Sequence, residues 1–507
     1  MVWQAENGNL VKHLAAHWGI HHMNLLPFVL VLALPCADSP NVLMIAIDDL
    51  NDWVGCLGGH PQARTPNIDA LARRGTLFTN AHCQAPLCNP SRSSLLTGLR
   101  PSTTGIHGLV PGIRQVAATR DVPTLPQVFR RANYWTYSCG KVFHDGSLPP
   151  PNRLLEFENW GPAPGMGRPG KPIANLPEPR HPAMDWGPFP DADSKAGDYQ
   201  IADAAIKALA TAPKSQPFFI ATGFRLPHVP CYAPKAWFDL FPEDSVILPE
   251  VRDNDRDDTP RFSWYLHWKL PEPRLKTLKD EKEWRPLVRA YLASTAFMDA
   301  QIGRVLAALE ATGRANDTIV VLWSDHGYHL GEKLITGKNT LWERSTRVPL
   351  MVSGPGVTPG ARCGRPVELL DLFPTLADLA GLQAPKHLEG VSLRAQLSNA
   401  TAPRNRPAIT THNQGNHALR DEQYRYIRYA DGSEELYDMV KDPHEWTNLA
   451  GRAESASIKA AMARWLPKTD VPAAPGSAHR VLQRDPATGT VTWEGERIGA
   501  NDTVPTP

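Results

Sequence analysis

The sequence lacks the features that mark several large classes of protein. Lysine and arginine number 53 and aspartate and glutamate number 52, so the formal net charge is +1 and gives no field that would attract nucleic acid or an anionic membrane. No apolar run reaches the ~20 residues that a membrane-spanning helix needs. We therefore expect no nucleic-acid partner and no stable membrane span. Hydrophobic residues make up 42% of the chain, which excludes wholesale disorder.

Cysteine is also scarce, with seven residues in 507 and no CxxC pair. This absence excludes zinc-ribbon and thioredoxin-like sites. Two interpretations remain open: one or two disulfides form, or one cysteine has a chemical role.

The strongest apolar run, residues 25–34, is too short to span a membrane but is typical of the core of a secretory signal peptide, with Ala37 as a candidate cleavage point. A signal peptide usually begins with a positively charged region, but Lys12 is the only strong base in residues 1–22. Met23 is therefore a second candidate for the start of translation. The alternative is a buried first strand. We expect residues 1–37 to be an extension containing a signal peptide, and the protein to be secreted or periplasmic, or to lie in a lysosome-like lumen.

Four apolar runs without alternation indicate strands that are buried on both faces, as in an α/β protein with a mostly parallel central sheet. They cover residues 42–47, 217–222, 318–323 and 348–352. Between them, the apolar positions from Val288 to Leu309 have helical spacing, and Gly313 is placed to end that helix.

Composition changes predict the domain boundaries. We expect a main catalytic domain at residues 38–380, a smaller antiparallel subdomain at 381–466 and an irregular tail at 467–507. An Asp431-Gly432 turn between two strand-like runs predicts a hairpin in the subdomain. Residues 149–190 contain twelve prolines, and residues 252–284 are dense in charge; both are predicted to be surface excursions.

Two pairs of potential metal ligands, Asp-Asp and Asp-His, follow predicted strands and indicate a metal site. Asp48-Asp49 ends the first run, and Asp325-His326 ends the third, where Gly327 allows close backbone approach. In an open α/β sheet both pairs reach the same edge, and carboxylates are suited to Ca²⁺ or Mg²⁺. Taken singly, Asp48-Asp49 is equally typical of a helix N-cap and Asp325-His326 of a hydrogen-bonded loop.

Cys88 stands in the run Cys88-Asn89-Pro90-Ser91-Arg92, which continues to Thr97-Gly98. Pro90 favours the first turn of a helix, so Cys88 is expected just ahead of a helix N-terminus, where anions are stabilised. A cysteine in that position is equally typical of a low-pKa thiol or of a buried apolar residue.

The pattern Cys-x-Pro-Ser-Arg-x-x-x-Leu-Thr-Gly at residues 88–98 resembles the signature of the type I sulfatases at every named position. The resemblance extends from residue 41 to about residue 449. Gly140-Lys141-Val142-Phe143-His144, Pro227-His228-Val229-Pro230 and Lys338 resemble the iduronate-2-sulfatase branch in particular. The branch motifs do not extend to residues 149–190 or 252–284, the segments that are expected to select the sugar. The resemblance therefore does not identify the sugar.

The resemblance implies an alkaline-phosphatase-like fold and a metal-dependent sulfuric ester hydrolase acting on a sulfated saccharide. It implies that a maturase oxidises Cys88 to formylglycine, whose hydrate is the nucleophile. It also implies one Ca²⁺ per chain, held by Asp48, Asp49, residue 88, Asp325 and His326.

Further roles follow from the same resemblance. Arg92 is expected to stabilise the ionised hydrate, and Lys141 and Lys338 to bracket the sulfate oxygens. His144 is expected to be the base that releases sulfate and His228 the acid that protonates the leaving oxygen, although these two roles could be exchanged. Three alternatives stay open: a phosphodiesterase or phosphonate hydrolase with the same fold, a non-catalytic glycan-binding relative, and an inactive precursor with unmodified Cys88.

Overall fold

An eight-stranded sheet forms the centre of the computed structural model, which describes residues 39–505. In spatial order its strands are β13 (Ala361–Cys363), β2 (Gly75–Phe78), β12 (Leu350–Ser353), β9 (Thr318–Ser324), β1 (Asn41–Asp48), β7 (Phe218–Pro227), β4 (Trp135–Gly140) and β5 (Asn159–Trp160). Strand β12 is antiparallel to both of its neighbours, and the other pairs are parallel. The predicted α/β fold with a mostly parallel sheet is confirmed. The predicted signal peptide lies outside the described residues.

The buried strand β1 explains why the apolar runs do not alternate. Val42, Met44 and Ala46 point into one hydrophobic core, and Leu43, Ile45 and Ile47 into the other. Because side chains alternate between the faces of a sheet, a strand covered on both sides must be apolar at every position. The run at 348–352 gives the antiparallel β12, since burial on both faces does not depend on strand direction.

Helices cover both faces of this sheet. Helices α1 (Pro66–Arg74), α6 (Gly197–Thr211) and α10 (Trp284–Ala311) pack on one face, and α2 (Cys88–Thr97), α4 (Leu125–Arg131) and α12 (Leu372–Leu379) on the other. The predicted long helix is α10, which ends just before Gly313, whose φ is +71°. The shorter helices are α3 (Pro101–Thr104), α5 (Pro150–Glu156), α7 (Lys235–Phe238), α8 (Phe262–Tyr265), α9 (Leu275–Asp280), α11 (Glu343–Thr346), α13 (Arg394–Ser398) and α14 (Ala456–Ala463).

Single 3₁₀ turns and two-stranded pairs complete the main part of the chain. The turns are Asp193–Lys195, Glu243–Ser245, Ala315–Asp317, Glu332–Leu334, Leu369–Asp371 and Ala453–Ser455. The pairs are β3 (Ala81–His82) with β14 (Val367–Glu368), β6 (Trp186–Pro188) with β8 (Cys231–Ala233), and β10 (His329–Leu330) with β11 (Thr336–Gly337). The proline-rich excursion is therefore not wholly irregular, since α5, β5 and β6 lie within it.

A four-stranded antiparallel sheet follows the main domain, as the hairpin signal predicts. It consists of β15 (Ala408–Thr411), β16 (His417–Arg420), β17 (Tyr424–Arg428) and β18 (Glu434–Asp438). Gly432 turns the last hairpin with a φ of +89°. The domain boundaries at 380/381 and 466/467 stay predictions.

The tail is more regular than its composition predicts. It forms a three-stranded antiparallel sheet of β19 (Leu482–Arg484), β20 (Val491–Trp493) and β21 (Glu496–Ile498). Its few apolar side chains share a buried cluster with Trp268 and Trp342, which explains the order. Within residues 39–505, no helix is long and apolar enough to cross a membrane.

Candidate active site

Strand register brings the predicted site residues to one edge of the central sheet. In the parallel pairs, Ile47 lies opposite Ser324 and Asp48 opposite Pro227, so Asp49, Asp325 and His228 follow at the same level. Carboxyl ends of parallel strands form the ligand-binding edge of an open α/β sheet.

The approach of β4 to β7 at this edge depends on two glycines. Gly140 has a φ of +68°, and a Cβ built on it would lie 2.0 Å from the carbonyl oxygen of Gly223. A Cβ on Gly223 would lie 2.2 Å from the carbonyl carbon of Lys141. Because glycine has no Cβ, Gly140 and Gly223 allow the two backbones to approach closely and the Lys141 backbone to reach the site.

Helix α2 begins at Cys88 itself, one step earlier than the sequence predicts. A hydrogen bond joins its first turn to the residue after β9: the Ser91 hydroxyl donates to the Asp325 carbonyl oxygen at 2.6 Å. The thiol of Cys88 is thus buried at the helix N-terminus, in the middle of the predicted ligands.

Cations surround the Cys88 sulfur. Lys338 Nζ lies 3.3 Å from Sγ, His326 Nε2 3.3 Å and Lys141 Nζ 3.9 Å, and the thiol is 3.5 Å from Asp48 Oδ1. Burial by itself raises the pKa of the thiol, but Lys141 and Lys338 reverse this and hold it well below the usual value. The site therefore stabilises negative charge at position 88.

Three buried carboxylates face three buried cations. Arg92 binds Asp325 Oδ2 at 2.8 Å and Asp48 Oδ1 at 3.1 Å, and Lys141 also pairs with Asp48. Burial and the nearby Cys88 raise the pKa of Asp48, but Lys141, His228 and Arg92 outweigh them and lower it. The third carboxylate, Asp49, pairs with the Lys338 ammonium group at 2.6 Å.

The donor set fits a divalent cation. Asp49 Oδ2 is buried and has no hydrogen-bond partner in the described part of the chain. Donor atoms of Asp48, Cys88, Asp325 and His326 lie within 4.8 Å of one another, and so do those of a second group that contains Asp49 and His228. Carboxylate oxygens at this density suit a hard cation such as Ca²⁺.

His326 is oriented for a ligand role. Its Nδ1–H donates to the Gly327 carbonyl oxygen at 3.0 Å, which leaves Nε2 facing the cluster. Burial lowers the pKa of His326, but Asp325 contributes most to reversing this, and the net effect raises it to about 9. The carboxylates therefore favour a cation at Nε2, which is a proton when no metal is bound and would be the metal ion when one is.

The two other histidines occupy different sides of the centre. His144 interacts directly with the Cys88 thiol, and burial lowers the pKa of its imidazole. His228 Nε2 lies 3.9 Å from Asp49 Oδ2, and although burial lowers its pKa, Asp49 produces a net rise. Both rings therefore lie near residue 88: His144 contacts its thiol, and a ring nitrogen of His228 lies within 4.8 Å of the sulfur.

Two family descriptions match the chain across this site and the following subdomain. The model described as Sulfatase matches residues 40–382, which is more than half of the chain. The chain belongs to the sulfatase family. A second model, described as N-sulphoglucosamine sulphohydrolase, C-terminal, matches residues 331–471 of this sulfatase.

Individual relatives cover most of the sulfatase. A sulfatase of Formosa agariphila is 40% identical over 453 residues, covering 85% of this chain and 87% of its own length. Iduronate 2-sulfatase of Homo sapiens is 34% identical, covering 71% and 72%. A solved structure described as a 2-O GAG sulfatase has a TM-score of 0.66 at 26% identity and covers 84% and 90%. The predicted resemblance to the iduronate-2-sulfatase branch is confirmed.

The guanidinium group of Arg92 contacts two of the predicted metal ligands and not the Cys88 side chain. Arg92 forms no hydrogen bond with the Cys88 side chain within residues 39–505. Its guanidinium group instead bridges Asp48 and Asp325 and donates to the carbonyl oxygens of Lys141 and Val142. Arg92 therefore holds the Asp48 and Asp325 carboxylates in place next to Cys88.

Sequence reasoning missed Tyr291 of α10. Its hydroxyl donates to the Asp49 carbonyl oxygen at 2.7 Å and accepts from the Asn51 backbone N–H at 2.9 Å. These bonds hold Asp49 in a left-handed conformation with a φ of +63°. A tyrosine at a predicted core position was the available signal, because a buried hydroxyl needs a partner.

The six cysteines within residues 39–505 form no disulfide, which favours the interpretation that Cys88 has a chemical role. Two histidines near the site, His82 and His107, have partners outside the predicted metal ligands. His82 contacts Asn80 Oδ1 at 2.8 Å, and His107 contacts the Val471 carbonyl oxygen at 3.2 Å. Neither histidine contacts the predicted ligands.

Proposed function

We propose that this sulfatase removes sulfate from a sulfated saccharide, with the hydrate of formylglycine at position 88 as nucleophile. The observation that carries the proposal is the position of Cys88, at a helix N-terminus and within 3.9 Å of two lysine ammonium groups and His326. That environment binds an anion and stabilises charge that develops on sulfate oxygens. Similarity to iduronate 2-sulfatase over 71% of the chain supports a saccharide substrate.

We propose that Asp48, Asp49, Asp325, His326 and residue 88 hold one divalent cation, Ca²⁺, per chain. When bound, this cation would acidify the nucleophile and neutralise sulfate oxygens. With His326 neutral, as a metal ligand must be, the three carboxylates balance the charges of Arg92, Lys141 and Lys338, so a divalent ion would give the site a net positive charge. A sulfate monoester, which is an anion, fits that balance.

The first step transfers the sulfuryl group to residue 88. A maturase that uses an external oxidant would first convert the Cys88 side chain to an aldehyde, with loss of the thiol sulfur and gain of one oxygen; the hydrate of this aldehyde carries two hydroxyl groups. One hydroxyl group of the hydrate first loses its proton to solvent; its ionised oxygen then attacks sulfur, and the bond from sulfur to the alcohol oxygen breaks. Lys141 and Lys338 hold the sulfate oxygens, and His228 gives its proton to the leaving alcohol oxygen.

The second step releases sulfate. His144 accepts the proton of the remaining hydroxyl group, the aldehyde carbonyl re-forms, and the carbon–oxygen bond to sulfate breaks. Water then adds to the aldehyde and restores the hydrate. A thiol or a single hydroxyl at position 88 has no second hydroxyl group and cannot release sulfate in this way.

Two alternatives have less support. A phosphodiesterase or phosphonate hydrolase with the same fold would use the same nucleophile, but the buried pair Lys141 and Lys338 and the iduronate-branch motifs favour sulfate; relative rates on sulfate and phosphate esters separate the two. A non-catalytic glycan-binding relative would be expected to have lost a site residue, whereas all the predicted residues are present.

We also propose that the protein acts outside the cytoplasm, in a periplasm, a secreted state or a lysosome-like lumen. The support is the apolar run at 25–34, which has the length of a signal-peptide core. Amino-terminal sequencing of the mature protein would test it, and a chain that retains residues 1–37 would contradict it.

The deciding experiment is peptide mass spectrometry across residue 88 of protein from its native host, followed by assay on 4-nitrocatechol sulfate. We expect a mass lower by about 18 Da than that of the cysteine form, with activity that EGTA removes and Ca²⁺ restores. Cys88→Ala should abolish turnover, and Cys56→Ala, at a cysteine outside the site, should not. Fully converted protein that hydrolyses no sulfate ester with Ca²⁺ present would contradict the proposal.

A further inference from the structure

We propose that a cavity of about 660 Å³, whose wall is linked by contacts to residues next to Cys88 and Lys338, binds an anionic group on the saccharide next to the sulfate that is cleaved. We call it the tail cavity. Three segments line it: residues 176–184 of the proline-rich excursion, residues 268–273 of the charged insertion, and residues 479–505 of the tail, together with Leu109. Its volume falls within the range of roughly 300–1,000 Å³ that is typical of small-molecule sites. This inference rests on the proposed function.

Two chains of contacts connect the tail cavity to the nucleophile. Asn89, next to Cys88, donates a side-chain hydrogen bond to the Gly108 carbonyl oxygen at 3.1 Å, and Leu109 lines the cavity. On the other side, Gly337 precedes Lys338, and a Cβ built on Gly337 would lie 2.7 Å from Glu272 Cγ. Glu272 is in turn the ion-pair partner of Arg480 in the cavity wall. Glu272 therefore contacts both Arg480 of the cavity wall and the residue that precedes Lys338.

Most of the lining residues are apolar, chiefly proline and leucine, and the charged groups among them are mainly positive. Arg180, Lys269 and Arg480 face the cavity, against Glu494 alone. The Glu494 carboxylate accepts the backbone N–H of Arg480. Apolar faces with a few cations suit a sugar ring that carries a carboxylate or a sulfate.

Arg480 is the strongest anion-binding group of the three. Lys269 and Arg180 pair with the exposed carboxylates of Glu496 and Glu178. Within residues 39–505, the Arg480 guanidinium group has one ion pair, with Glu272 Oε2 at 3.6 Å, and no hydrogen bond. Its N–H donors are therefore available for bidentate binding of a carboxylate or sulfate.

The backbone at this position is held in an unfavourable conformation. His479 and Arg480 both have positive φ, +63° and +74°. The Leu109 N–H donates to the His479 carbonyl oxygen at 3.1 Å, and the Asn413 side chain donates to the Arg480 carbonyl oxygen at 3.2 Å. Such strain is retained where surrounding bonds fix it and is concentrated at ligand-binding positions.

The test compares Arg480→Gln with wild-type enzyme, both converted at residue 88. The substrates are 4-nitrocatechol sulfate, monosulfated disaccharides with a uronate carboxylate, the same disaccharides reduced to the alcohol, and disulfated disaccharides without a carboxylate. We expect the ratio of kcat/KM on acidic disaccharide to kcat/KM on aryl sulfate to fall about 10- to 100-fold in Arg480→Gln, because charged hydrogen bonds are lost. Arg480→Lys should recover part of the ratio.

Matched controls separate this effect from misfolding. Arg394, on α13, is an exposed arginine that pairs with Asp378 on α12. Arg394→Gln should therefore keep the wild-type ratio. Thermal unfolding and aryl sulfate turnover report whether Arg480→Gln has folded. Loss confined to the uronates identifies a carboxylate site, and loss confined to the disulfated sugars identifies a second sulfate site.

The contrary outcomes are distinct. If Arg480→Gln keeps the wild-type ratio on every acidic disaccharide that the wild type hydrolyses, the tail cavity does not bind the anionic group. The proposed function would remain intact. Wild-type enzyme that cleaves the aryl ester but no disaccharide would overturn the saccharide assignment. Converted enzyme that cleaves no sulfate ester would overturn the proposed function itself.

Discussion

The single positive charge of Lys338 both pairs with a buried carboxylate and lies next to the proposed nucleophile. Its ammonium group is buried, 2.6 Å from Asp49 and 3.3 Å from the Cys88 sulfur. Burial lowers the pKa of a lysine, but Asp49 and Cys88 reverse the effect, so the pKa of Lys338 is raised and the group stays charged. A permanently charged lysine can hold sulfate but cannot act as a base near neutral pH.

Replacing this lysine should stop sulfate hydrolysis. We expect Lys338→Ala to lower kcat/KM on a sulfate ester by about 10²- to 10³-fold, the effect of removing one donor from a transition-state anion site. Lys333→Ala is a matched control, because Lys333 is also buried and paired with a carboxylate, Asp255, at 2.8 Å. It should lower the free energy of unfolding but retain turnover per folded molecule. Near-normal turnover in Lys338→Ala would overturn the sulfate-binding role.

The acid and base assignments can be separated by leaving group. If His228 protonates the leaving oxygen, His228→Asn should slow a sugar sulfate about 10²-fold more than 4-nitrophenyl sulfate, whose leaving group needs no proton. His144→Asn should slow both esters alike and leave sulfated residue 88 visible by intact mass. His329→Asn, at a histidine hydrogen-bonded to Thr340, is the control. The opposite pattern would exchange the two roles.

At the scale of secondary-structure elements, the close contact of β4 and β7 sets the position of Lys141. The two strands run in parallel, with Gly140 opposite Gly223, and the chain turns directly into the site after Gly140. Any side chain at these two positions would push the Lys141 backbone away from Asp48.

A methyl group at this contact should therefore be costly. We expect Gly223→Ala to lower the free energy of unfolding by about 1–3 kcal/mol through overpacking, and to reduce kcat as Lys141 shifts. Chemical denaturation and steady-state kinetics measure the two effects. Gly165→Ala adds a methyl group into open space and should change stability by less than about 0.5 kcal/mol. Equal stability of the two variants would contradict the packing argument.

Elements were predictable where their periodicity or turn chemistry is local. The apolar runs predicted β1, β7 and β9, helical spacing predicted α10, and the Asp431-Gly432 turn predicted the last hairpin. The direction of β12 and the short strands of the tail were not predictable, because they depend on partners far away in the chain.

At the scale of the whole molecule, three segments with little local regularity meet at the tail cavity. The proline-rich excursion, the charged insertion and the tail line one cavity, and the insertion and tail share a buried cluster that includes Trp268, Trp342 and Trp493. Their low regularity follows from composition, but their order follows from packing against one another.

The sequence by itself determined the fold class, the sulfatase signature and the identity of the predicted ligands, because strand burial and a fixed motif spacing are local properties. Only the tertiary structure decided which charges pair. Arg92 meets Asp325 across 233 positions, Tyr291 supports Asp49 across 242, and Arg480 reaches Glu272 from the tail. These contacts depend on how the elements pack in three dimensions, and no local pattern in the chain encodes them.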